Sequence, residues 1–168
     1  MKTDRLEEIY RAYYRDVYLY ALSLSRDIQV AEDITSDTFF KALFSLDMQT
    51  VPVKFWLLRV CKNLFMDLCR KNKKLSAEPI EEFKISVCDE VLEKMIKRED
   101  MKELYRAVMR LPDKYREVIC MFYYMDCSIS EIARLTGQSQ GAVKTALSRA
   151  RVKLKHLIES GEQKEEKK

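Results

Sequence analysis

Leu6, Ile9, Tyr10, Tyr13, Val17, Ala21 and Leu24 recur at steps of three and four along the start of the chain. That spacing puts them on one face of a helix. Asp27 stands where it can cap a second helix, which runs through Val30, Ala31, Ile34 and Leu43 to about Leu46. Thr50 and Pro52 open a third, since the missing N–H of proline goes unmissed in a first turn. This helix turns Phe55, Trp56, Val60, Leu64 and Leu68 inward and reaches about Asn72.

The pattern is lost over residues 73–88, which hold Pro79 and a run of acids, and residues 75–98 read as a linker. Periodicity returns with Val91, Met95, Leu104 and Val108, and Pro112 either ends that helix or starts the next. Lys114 to Met125 reads as one buried helix. Ser128-Ile129-Ser130-Glu131 fits a capping box, in which Ser128 and Glu131 satisfy each other's backbone donors. The short helix it opens ends at Gly137, and Ser139 caps a last long helix to about Ile158. The charged tail after it is expected to fray. The divisions expected are 1–74, the linker 75–98, 99–160 and a charged tail 161–168.

Composition agrees with helices throughout. The 168 residues include three Gly and three Pro, where average usage would give about 20 of the two together. Strands need turns and turns need these residues, so the expected class is all-α, and the length suits one domain of ordinary size or two small ones. Chemistry is limited too. His156 is the single histidine, which excludes multi-histidine metal sites. None of Cys61, Cys69, Cys88, Cys120 and Cys127 pairs at Cys-x-x-Cys spacing. Their odd number and the charged start of the chain point to reduced thiols in the cytoplasm. Cys61, Cys69 and Cys120 read as small hydrophobes, while a redox role for Cys88 or Cys127 stays open. No uncharged run approaches the roughly 20 apolar residues that a membrane span needs. No cofactor, metal or catalytic constellation is expected.

The net charge of +4 is unevenly spread. Lys54, Arg59, Lys62, Arg70, Lys71, Lys73 and Lys74 meet one acid, Asp67. Glu78, Glu81, Glu82, Asp89, Glu90 and Glu93 follow, with Lys84 among them. Lys144, Arg149, Arg151, Lys153 and Lys155 then come without an acid. Two one-signed basic segments point to a polyanionic partner gripped at two places.

The second basic segment coincides with the spacing of a helix-turn-helix. Ala133 is small where two helices must cross. Gly137 follows four residues later, where the turn needs a positive φ, and Val143 six residues after that, as an apolar anchor. Ile132 and Leu147 complete the seal. Lys144, Thr145, Ser148 and Arg149 are then expected to face away from it, where a second helix can lie in the DNA major groove. Arg149 can pair with guanine through two hydrogen bonds, and Arg151, Lys153 and Lys155 suit phosphates.

Residues 55–71 read Phe-Trp-Leu-Leu-Arg-Val-Cys-Lys-Asn-Leu-Phe-Met-Asp-Leu-Cys-Arg-Lys. This resembles regions 2.3–2.4 of the extracytoplasmic-function sigma factors of bacterial RNA polymerase, on Trp56, Leu57, Arg59, Asn63, Asp67 and Arg70. Ala31 to Leu43 resembles the family's region 2.2, Leu111 to Val118 its region 4.1, and Ser128 to Lys155 its region 4.2. Four such strings in order, around an acidic linker, form a specific pattern. Three departures stand out: Ser36 where the family has Gln, Ala146 where many members have Arg, and an Asp126-Cys127-Ser128 turn without the common Gly.

The resemblance implies a dissociable promoter-specificity subunit with no catalysis of its own, built as two small helical domains, a region 2 bundle and a region 4 helix-turn-helix, joined by a flexible acidic linker. Asp33, Asp37, Phe40 and Lys41 would hold core polymerase. Arg59, Lys62, Asn63, Arg70, Lys71 and Lys74 would take the −10 element as a separated strand, with Asn63 reading a base edge. Trp56 is expected in the core, and Asp67 as a partner for a nearby Arg or as a cap. Ser139, Lys144, Thr145, Ser148, Arg149, Arg151 and Lys153 would read the −35 element as duplex. The acidic linker would thread toward the RNA exit channel or simply be solvated. An anti-sigma protein, often membrane-bound in this family, would cover the same surfaces. The alternative is a stand-alone helix-turn-helix regulator that binds duplex DNA without polymerase.

Overall fold

Arg26 breaks the first helix. Its φ of 53° is left-handed, and its N–H still reaches back to the Leu22 carbonyl at 2.8 Å. Asp27 then caps the second helix through Val30 N–H to Oδ1 at 3.2 Å, as its position predicted. The computed structural model describes residues 2–45, 51–72 and 99–165. Contacts divide the chain into two compact units, residues 1–84 and 85–168. The described residues contain helices and no strand.

The first unit packs α1 (Lys2–Ser25), α2 (Ile28–Ser45) and α3 (Val53–Lys71) around one core. Val17, Ala21, Ala31, Phe39, Ala42, Leu57, Leu58 and Cys61 fill it. Residues 17–23 of α1 are buried around their whole circumference, so Tyr18, Leu19, Tyr20 and Leu22 join the core although they lie off the predicted stripe. Two of the hydroxyls buried here are satisfied locally: Thr35 and Thr38 donate to the Ala31 and Ile34 carbonyls at 2.6 and 2.7 Å. Burial raises the Tyr14 phenol above its usual pKa, with Tyr10 and Glu32 adding to the effect. Pro52 sits one residue outside α3 as its N-cap, not within its first turn, and accepts the Trp56 N–H at 3.0 Å. Leu43, expected inward, is exposed because α2 turns only Ala31, Ile34, Thr35, Thr38, Phe39 and Ala42 to the core. Thr50, Val91 and Met95 lie outside the described residues.

The second unit comprises α4 (Glu99–Met109), α5 (Asp113–Ile119), α6 (Ile129–Thr136) and α7 (Gln140–Glu165). Pro112 caps α5 and so opens a helix, which settles the choice the sequence left. Arg116, 2% exposed, ties that turn by donating to the Leu111 carbonyl at 2.9 Å and to Asp113 at 2.6 Å. The single helix expected over residues 114–125 is not regular. After Ile119 the chain widens into a π-helical turn, Cys120–Tyr124, closed by Met125 N–H to Cys120 O at 3.2 Å. Asp126 then adopts φ 50° in the turn that lacks Gly, a conformation Asp tolerates better than most residues.

The remaining turns follow their sequence signals. Ser128 and Glu131 form the capping box, at 2.9 and 3.1 Å. Gly137 ends α6 with φ 69°, and Ser139 Oγ accepts the Ala142 N–H at 3.1 Å. α7 outruns its expected end at Ile158 and continues to Glu165, because the Glu, Gln and Lys beyond are good helix formers.

Nothing stands within 4 Å of a methyl group added at Gly137, so the cost of a side chain there is backbone strain alone. Gly137→Ala is expected to destabilise the protein by about 1–2 kcal/mol. Gly137→Asn should recover much of that loss, since Asn is enriched in left-handed geometry. Urea unfolding followed by circular dichroism checks both.

Candidate nucleic-acid interface

The helix-turn-helix seam closes as its spacing predicted. Val143, Leu147 and Ala150 of α7 are buried, and so are Ile132 and Ala133 of α6. Burying that side of α7 leaves Lys144, Thr145, Ser148 and Arg149 exposed. The Thr145 hydroxyl donates to the Gly141 carbonyl at 3.0 Å, so its lone pairs are what it offers a partner. Ser139 is engaged as the cap.

Arg151 and Lys153 are not on this outer face. Each lies at an edge of the buried seam, beside an aromatic ring. Arg151 Nε donates to the Tyr123 hydroxyl at 2.6 Å, and its guanidinium lies 5.6 and 5.7 Å from the Tyr123 and Phe122 ring centres. Lys153 Nζ lies 5.9 Å from the Tyr115 ring centre. The expectation gave no sign of these aromatic partners, because the rings arrive from α5 and its π-helical turn.

On α3, Arg59, Asn63, Arg70 and Lys71 are exposed and Lys62 is half-buried. Arg59, Asn63, Met66 and Arg70 share one side, and exposed Met66 was missed. It is apolar, so the charge pattern passed over it. Asp67 pairs with Arg70 at 3.1 Å. Trp56 and Phe55 are both buried, which leaves neither ring as a stacking platform. Lys54, counted with the basic run, lies 3.8 Å from Asp16 of α1. Lys74, Cys88 and the linker lie outside the described residues.

Asp33, Asp37, Phe40 and Lys41 line the exposed side of α2. Phe40 is 64% exposed and Phe44, one turn on, 68% exposed, with ring centres 5.2 Å apart and nearly perpendicular. Exposed Leu43 lies beside them. The resemblance gave only Phe40. The four-residue step to Phe44 was the available signal for a larger apolar patch. Of the other thiols, Cys61, Cys120 and Cys127 are buried, and Cys69, expected as a small hydrophobe, is exposed. No described helix is long and apolar enough to cross a membrane.

Comparisons with known proteins match this arrangement. Residues 9–75 match the family model for sigma-70 region 2, and residues 101–154 the model for sigma-70 region 4. The ECF RNA polymerase sigma factor SigM of Bacillus subtilis is 32% identical over 166 residues, covering 93% of this chain and 96% of that one. This chain belongs to the ECF sigma factors. SigW of the same organism, another ECF sigma factor, is 29% identical over 92% of this chain and 89% of its own. The sigma factor RpoE of Bartonella quintana, solved with the anti-sigma factor NepR, has the same fold, with a TM-score of 0.69 at 22% identity over 91% of this chain and 96% of that one. As an ECF sigma factor the protein acts with RNA polymerase in promoter recognition and transcription initiation, and it is not an enzyme.

The exposed side chains of α3 and α7 bear little of the fold's stability. Arg59→Ala, Asn63→Ala, Lys144→Ala and Arg149→Ala are each expected to change unfolding free energy by about 0.5 kcal/mol or less. Denaturant melts of the four variants against the parent check this.

Proposed function

We propose that α7 of this sigma factor reads the −35 element as intact duplex while α3 holds the −10 element as a separated strand. The observation that carries this reading is the division of α7. Its Val143, Leu147 and Ala150 side is buried, and its opposite side presents Lys144, Thr145, Ser148 and Arg149 with no acid. A helix so built fits the major groove, with Arg149 placed for a guanine edge. Ser139 would meet backbone through its remaining hydroxyl proton, and Arg151 and Lys153 would meet phosphates from the flanks.

Region 2 would work differently. A base taken from the stack needs a group with both donor and acceptor, and exposed Asn63 supplies both. Arg59, Lys62, Arg70 and Lys71 would hold the strand's phosphates, extended by Lys74. Met66 offers an apolar contact in the same strip. Asp33, Asp37, Phe40 and Lys41 of α2 would seat on core polymerase. Residues 1–74 would then form the polymerase and −10 module and 99–160 the −35 module, with 75–98 linking them and 161–168 a charged tail. Each grip can be weak alone, since the linker raises the effective concentration of the other. The protein would act in the cytoplasm. An anti-sigma protein would hold it inactive by covering these faces; the structural neighbour RpoE was itself solved in complex with an anti-sigma factor, NepR.

Footprinting of the protein with core polymerase on its promoters tests this reading. Protection is expected at two separated stretches, with permanganate-reactive thymines in the downstream one. Asn63→Ala should keep the upstream footprint and lose strand opening. Arg149→Ala should cost about 1–3 kcal/mol, confined to one base pair of the −35 element. Opening that survives Asn63→Ala refutes the placement of the −10 pocket. A single protected stretch refutes the division of labour.

A further inference from the structure

Lys144, Arg151 and Lys155 follow one another on α7 at steps of seven and four residues, and all three are exposed. They therefore form a stripe along one flank of the helix, where Lys144 marks the border of the outer face and Arg151 lies nearer the seam. A helix lying in a major groove about 12 Å wide presents its outer face to base edges, and its flanks approach the phosphate walls. Arg151 is held by contacts within the protein. Its Nε donates to Tyr123 at 2.6 Å, and the Phe122 and Tyr123 rings lie beside its guanidinium.

This contact depends on an irregularity. Tyr123 belongs to the π-helical turn Cys120–Tyr124, which departs from the regular helix expected there. π-turns are rare and gather at functional sites. The ring is 49% exposed, so its placement adds little to the core. Its surroundings also leave room for an untethered arginine. Tyr123 and Arg151 border a groove of about 460 Å³, whose other walls include Leu104, Val108, Leu154 and Ile158. A long side chain released beside such a groove can lay its apolar stem over it and carry its charge away from the flank.

We propose that Tyr123 is a positioning residue for −35 recognition, which holds Arg151 ready to clamp a DNA phosphate. This rests on the reading of α7 as the −35 helix. With Nε occupied by the tyrosine hydroxyl, both terminal amino groups of the guanidinium stay available, and that pair matches two phosphate oxygens. The two neighbouring rings and the hydrogen bond remove rotamer freedom before DNA arrives, so affinity is gained by preorganisation. Tyr123 itself need not touch DNA.

The test uses the full chain assembled with core polymerase and measures binding to duplex bearing the −35 element across a range of KCl concentrations. Arg151→Ala should flatten the plot of log affinity against log salt by about 0.9, the loss of one phosphate contact. Tyr123→Phe keeps the ring and removes the hydroxyl. It should weaken binding about threefold to tenfold, the range for one hydrogen bond, with an unchanged melting temperature and a smaller loss of salt slope. The double variant should bind no more weakly than Arg151→Ala alone, because the tyrosine acts through the arginine. Wild-type affinity in Tyr123→Phe overturns the proposal, as does a double variant whose losses multiply. An effect of Tyr123→Phe that comes with a lowered melting temperature and persists in the Arg151→Ala background marks a structural role and also overturns it. Lys144→Ala and Arg149→Ala serve as controls for the parent reading. If neither weakens −35 binding, that reading fails and the proposal falls with it. If they weaken binding and Tyr123→Phe does not, only the proposal fails.

Discussion

With so few glycines and prolines, this chain must reverse direction at a handful of residues, and those reversals set what each helix can show a partner. A helix has one circumference. The rotation at which it leaves its turn decides which side is buried and which is left over. Arg26 and Asp126 take left-handed geometry without the ease of glycine, and Gly137 takes it with that ease. Pro52 and Pro112 act as caps that start helices at a fixed rotation. Shift Gly137 by one residue and α7 turns by about 100°, which would bury Lys144 and expose Leu147. The face that α7 presents therefore depends on a backbone angle four residues after the crossing alanine.

Most of the fold was legible because its signals are local. Asp27, Ser128 with Glu131, Gly137 and Ser139 each act on a backbone group within four residues, and each does what its residue type favours. The apolar stripe of α7 was equally clear, since Val143, Leu147 and Ala150 answer to a single neighbour. The failures occurred where a residue's fate depends on distant chain. Residues 17–23 of α1 are buried all round, which no single-stripe pattern indicates. Leu43 looked like core on periodicity and is exposed, because Phe39 and Ala42 already complete that side of α2. The π-helical turn was invisible, since an apolar run such as Cys120 to Tyr124 suits a regular helix as well as a widened one.

The candidate site divides along the same line. Residues expected on outer faces, such as Arg59, Asn63, Lys144, Ser148 and Arg149, are exposed because the helical period that buries one side exposes the other. Periodicity could not show which cations have partners within the chain. Arg70 meets Asp67 across one turn, a short-range pairing that sequence can anticipate. Arg151 meets Tyr123 across twenty-eight positions, a pairing that needs the folded backbone. Phe40 and Phe44 show the complementary case. Two large rings left in water and packed on each other resist explanation as core and fit a surface that becomes buried in an assembly.

Electrostatics alone would let any lysine or arginine of α7 serve DNA equally, because counterion release does not distinguish among cations. The structure does distinguish among them. Cations on the outer face stand on flexible stems, which any anionic partner would have to order on binding. Arg151 and Lys153 lie against rings that belong to the protein. Cation–π contact and hydrogen bonding order such groups without neutralising them, since neither partner carries a negative charge. An acid in place of Tyr123 would fix Arg151 as well but would cancel the charge that phosphate needs. An aromatic hydroxyl achieves the ordering and keeps the positive charge, which under the proposed −35 reading gives a physical reason for a tyrosine, and for the widened turn that carries it, beside α7.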